Sequence, residues 1–65
     1  MIAYKTQLNK ESVVLEIGSG MGFAAKHIAG LVSKLYCCDV SEGFLGEARQ
    51  RCRDADNISF HQIEV

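Results

Sequence analysis

Apolar residues in this chain gather into three short runs, separated by two stretches of helical period. Ser12-Val-Val-Leu-Glu-Ile17 is compact and β-branched and is ended by Gly18, which predicts a buried strand over 13–17. After the glycines, Ala24, Ile28, Leu31 and Val32 recur at i, i+4, i+7 and i+8, the core stripe of an amphipathic helix over 22–32. Lys26 falls off that stripe, and His27, about 100° around the helix from Ile28, is expected to be partly exposed and unliganded. Leu35-Tyr-Cys-Cys38 stops at Asp39 and predicts a second strand over 35–39.

Ser41 is placed to cap a helix over 41–53. Glu42 and Glu47 come early and Arg49, Arg51 and Arg53 late, an order that suits the helix dipole. Leu45, Ala48 and Cys52 form its apolar stripe, and Glu47 and Arg51 are spaced for an i,i+4 ion pair. Asn57-Ile-Ser-Phe-His61 alternates polar and apolar, predicting a third strand over 57–62. Residues 1–11 show no clear period and read as a lead-in, leaving 12–65 as the domain proper.

The order β-α-β-α-β constrains topology. Parallel strands joined by helices use right-handed crossovers, so strands added on the same side give the order 3-2-1 with both helices on one face. The fold class expected is α/β, the first half of a Rossmann-like doubly wound parallel sheet. Yet Val13, Leu15 and Ile17 alternate with Val14, and Tyr36 and Cys38 with Leu35 and Cys37, so both strand faces are apolar. Such sheets are covered on both sides, and no second-face helix is visible. The chain is therefore expected to be part of a longer protein, or to self-associate through the uncovered face.

Composition narrows this little. With 65 residues, 48% of them hydrophobic, the chain supports one small domain with a marginal core. A net charge of −1 gives no general reason to bind nucleic acid or an anionic membrane. No apolar run is long enough to span a bilayer, and no segment resembles a signal peptide, so a cytoplasmic location is expected. Cys37, Cys38 and Cys52 include no CxxC pair and read as small buried hydrophobes, so no metal site is assigned.

The chemistry lies in Val14-Leu-Glu-Ile-Gly-Ser-Gly-Met-Gly22, a strand running into Gly-x-Gly-x-Gly and then a helix. Glycines let the chain turn sharply and bring its backbone against a ligand. The spacing from Gly18 to Asp39 is close to the roughly 20 residues expected for a carboxylate that accepts ribose hydroxyls. Loop and carboxylate converge at the carboxyl ends of adjacent strands, where open α/β sheets bind ligands. A nucleotide-type cofactor is thus expected on Gly18, Ser19, Gly20, Gly22 and Asp39. The dinucleotide fingerprint wants glycine or alanine at position 23, where this chain has Phe23.

The spacing Glu16-x-Gly18-x-Gly20-x-Gly22 instead resembles the first motif of class I S-adenosylmethionine-dependent methyltransferases. Asp39-Val-Ser-Glu-Gly-Phe-Leu-Gly-Glu-Ala-Arg49 looks like the segment that follows in that family, and Asn57-Ile-Ser-Phe-His-Gln62 is similar to its third strand. The resemblance implies S-adenosyl-L-methionine as cofactor, with the glycine loop against its methionine part and Glu16 positioning its amino group. It also implies Asp39 on the ribose and Val40 against the adenine. Where the family often has Gly-Asp after the third strand this chain has Ile63-Glu64, and Glu64 takes the adenine-contacting place.

The family's later strands and acceptor-facing motif have no counterpart here, so no catalytic residue is assigned; with no basic or aromatic nucleic-acid surface evident, the methyl acceptor is expected to be a small molecule. Two other readings remain at this point. One is a nicotinamide- or flavin-linked oxidoreductase fragment; the other is a non-catalytic binding or assembly module.

Overall fold

The computed structural model describes residues 8–18 and 20–64. Five elements follow in the predicted order: β1 Val13–Ile17, α1 Phe23–Ala29, β2 Lys34–Asp39, α2 Glu42–Arg51 and β3 Ile58–Gln62. All strand pairings are parallel and the sheet runs β1-β2-β3, so each strand has the neighbour expected of it. Glu16 lies opposite Cys37 in the first pair, and Cys37 opposite Phe60 in the second.

Strand alternation decides what is buried. Val14, Leu35 and Cys37 point to one face and join Ala25, Ile28, Ala29, Val32 and Cys52 in a single core. Both helices therefore cover that face. Asn57 ties the start of β3 to the end of α1, its side-chain amide donating to the carbonyls of Ala29 at 2.8 Å and Val32 at 3.1 Å. Within α2 the buried positions are the expected Leu45 and Ala48, followed by Cys52 at its end.

Three local expectations are corrected. The buried stripe of α1 is Ala25, Ile28 and Ala29, continued by Val32, while Ala24 and Leu31 are exposed. α1 also stops at Ala29, where the Gly30 N–H folds back onto the His27 carbonyl. Alanine is apolar at either phase, so packing against the sheet chose between them. The Glu47–Arg51 pair is not formed; the ion pair on α2 is Arg49 with Glu42, 2.9 Å apart on the solvent side.

On the opposite sheet face, Val13, Leu15, Ile17 and Tyr36 are 66%, 53%, 48% and 38% exposed. No helix among the described residues covers them. All three cysteines are buried and unpaired with one another.

Candidate functional site

The Gly18 N–H extends the β1–β2 ladder by donating to the Cys38 carbonyl at 2.8 Å, and the chain then leaves the sheet. Gly18, Gly20 and Gly22 all have positive φ, at 74°, 63° and 91°. Left-handed backbone of this kind disfavours any residue with a Cβ. Gly20 and Gly22 are glycines for different further reasons. A Cβ on Gly20 would meet nothing within 4 Å and would project into open space beside the loop, whereas one on Gly22 would lie 2.9 Å from Ala48 Cα and Cβ. Gly22 thus lets α1 start in contact with α2. Phe23, the next residue, is 64% exposed.

Asp39 closes the loop from the next strand. Its Oδ2 accepts from the Gly20 N–H at 2.8 Å and its Oδ1 from the Ser41 N–H at 2.9 Å. Those bonds, that from Ser41 first, hold its carboxyl below the ordinary aspartate range. The carboxylate has about four acceptor positions, so the bonds from Gly20 and Ser41 leave part of its capacity unused. Ser41 also caps α2, its hydroxyl accepting from the Phe44 N–H at 3.1 Å.

Glu16 sits under the loop on the helix-covered face, 2% exposed. Burial pushes its pKa up, and the Cys37 thiol, donating to its Oε1 at 3.4 Å, partly offsets this. The same desolvation, with the neighbouring carboxylate, pushes the Cys37 thiol far above its usual range, so it stays protonated. Cys37 is a partner that sequence reasoning missed, since it follows only from the register that sets it opposite Glu16.

Val40 is half-exposed at the end of β2, beside Asp39. The Ile63 N–H donates to the Asp39 carbonyl at 3.0 Å, which brings the exposed Glu64 to the same end of the sheet. Ser19 lies outside the described residues. Gly18, Gly20, Asp39, Val40 and Glu64 therefore lie at the carboxyl ends of the strands, while Glu16 is buried on the helix-covered face and Gly22 is turned against α2. Surface clefts of about 350 and 220 Å³ lie away from those strand ends, along the later part of α2 and between that part and α1. Among the described residues, no group of three or more His, Cys, Asp or Glu side chains is placed to hold a metal ion, and no helix is long and apolar enough to cross a membrane.

A family profile described as a methyltransferase domain matches residues 14–65. The chain belongs to this family. Its methyltransferase domain is similar to the biotin biosynthesis bifunctional protein BioHC of Cellvibrio japonicus (strain Ueda107), 35% identical over 60 residues, covering 80% of this chain and 12% of that protein. Among solved structures, it resembles DhpI in its complex with SAH, with a TM-score of 0.72 and 33% identity over 78% of this chain and 24% of that one. An rRNA methylase from Streptococcus thermophilus gives a TM-score of 0.72 and 34% identity, over 82% and 31% of the two chains. The methyltransferase domain thus spans less than a third of the length of each of these relatives.

Proposed function

We propose that residues 12–65 form the cofactor-binding part of an S-adenosyl-L-methionine-dependent methyltransferase, acting on a small-molecule acceptor. The observation that carries this is the Gly20–Asp39 clamp. A glycine loop with open space beside Gly20 is joined to a buried carboxylate with acceptor capacity to spare, at the carboxyl edge of a parallel sheet. Support comes from membership of a methyltransferase family and from likeness to DhpI in complexes with SAH and SAM.

When bound, the cofactor supplies an electrophilic sulfonium methyl. The residues of this chain bind and orient it: the loop backbone and Glu16 at the methionine part, Asp39 at the ribose, and Val40 and Glu64 at the adenine.

Calorimetry on the protein containing this domain is expected to show S-adenosylmethionine and S-adenosylhomocysteine binding with clear preference over NAD. Tighter binding of NAD would return the oxidoreductase reading. Transfer of labelled methyl to RNA, but to no small molecule, would overturn the acceptor class.

The exposed face of β1 and β2 supports a second part of the proposal. Contiguous apolar surface of this kind is rarely left open on a soluble monomer. The isolated 65-residue chain is expected to self-associate through Val13, Leu15, Ile17 and Tyr36, and Leu15→Lys to shift it toward monomer. A compact wild-type monomer in sedimentation would remove this part.

A further inference from the structure

Residues 21–23, where the glycine loop passes into α1, are gripped from the end of α2. Arg51 donates from Nε to the Met21 carbonyl at 3.0 Å, and its guanidinium carbon lies 3.8 Å from the centroid of the Phe23 ring. That is within cation–π and stacking range. The Cys52 thiol donates to the Gly22 carbonyl at 3.6 Å, and Ala48 occupies the place where a Gly22 Cβ would go. At the loop's middle, Gly20 is held by Asp39, which also binds the backbone of Ser41 at the start of α2.

The glycine loop is thus held at both ends of one helix. The three arginines of this segment divide their work accordingly. Arg49 pairs with Glu42 on the same helix, and Arg53 donates to the Gln50 carbonyl at 3.2 Å, as a residue at a helix C-terminus should. Among the described residues, Arg51 alone of the three contacts the loop.

We propose that Arg51 is a positioning residue for the cofactor loop. It fixes Met21 and Phe23, and through them the direction in which the backbone of Gly20 and Gly22 faces the ligand. The inference rests on the cofactor reading above. Lysine is a poor substitute, because it lacks both the Nε–H beside a planar fork and the flat surface that stacks on a ring.

The test uses the complete protein, with S-adenosylhomocysteine as probe. R51Q and R51K are expected to weaken binding about fivefold to tenfold, a fraction of the loss for a charged hydrogen bond removed directly from a ligand. The KM for S-adenosylmethionine should rise while kcat at saturating cofactor holds. R53Q should stay within twofold of wild type. F23L should reproduce part of the loss, and the R51Q/F23L double variant should lose less than the sum, as coupled neighbours do.

A lowered melting temperature with affinity within twofold of wild type would make Arg51 merely structural and overturn the inference. If R51Q does not fold, F23L carries the same decision, because it leaves the Arg51–Met21 bond and α2 in place. Wild-type protein that fails to bind the probe would overturn the cofactor reading, and this inference with it. Wild-type binding combined with insensitivity to R51K and F23L would overturn this inference alone.

Discussion

Replacing Gly22 with alanine is expected to destabilise the domain by about 2–5 kcal/mol. Roughly 1–2 kcal/mol comes from placing a Cβ on left-handed backbone, and roughly 1–3 kcal/mol from overpacking. The φ of 91° supplies the first effect, and the 2.9 Å approach to Ala48 Cα supplies the second. Because the clash is with backbone, no rotamer change relieves it, and α1 must move off α2. In a domain of this size such a loss is a large fraction of the total stability. Gly46 provides the contrast within one experiment. It lies inside α2 and a Cβ there meets nothing within 4 Å, so Gly46→Ala should stabilise by about 0.5–1 kcal/mol. Denaturant unfolding of the two variants checks both signs. Equal stability of Gly22→Ala and wild type would mean that the helices do not meet as described.

Asp39→Ala should have the largest effect on the ligand. It removes the acceptor proposed for the ribose hydroxyls and leaves the N–H groups of Gly20 and Ser41 without their partner. Loss of hydrogen bonds to a charged group is worth about 1.5–3 kcal/mol, roughly a tenfold to hundredfold weaker dissociation constant for S-adenosylhomocysteine. Unchanged affinity by calorimetry would remove Asp39 from the site.

The same carboxylate gives a pH signature. Its pKa is lowered on folding, so it contributes stability that is complete above the ordinary aspartate value of about 4. That contribution is lost as pH falls through the folded value. Glu16 has the opposite sign: its raised pKa makes its ionisation unfavourable to the fold, so its contribution declines as pH rises above about 4.3. Asp39→Asn should therefore flatten the acid limb of stability against pH, while Glu16→Gln should leave that limb and remove the decline above it.

The periodic features of this protein are legible along the chain itself. A strand sends successive side chains to opposite faces, so the alternation of Val13, Leu15 and Ile17 with Val14 and Glu16 already implied which residues share a face. The glycines and Asp39 were recognisable for the same kind of reason, since they stand in a spacing that a strand–loop–helix–strand unit imposes. Folding decided what depends on a partner distant in sequence. Whether Ala24 or Ala25 faces the sheet is a question of helix phase, and two alanines carry no hydrophobic contrast to settle it. Arg51 had an acceptable local partner in Glu47, yet it contacts Met21 and Phe23, because the approach of α2 to α1 puts a carbonyl and a ring within its reach. Nothing along the chain says that Gly22, rather than a neighbouring position, is where α1 and α2 meet. Only the crossing of the two helices could determine that. Local pattern constrains side-chain direction because the backbone geometry of each element is fixed. Phase, pairing and contact are set between elements, where the competing choices differ only by what each one buries.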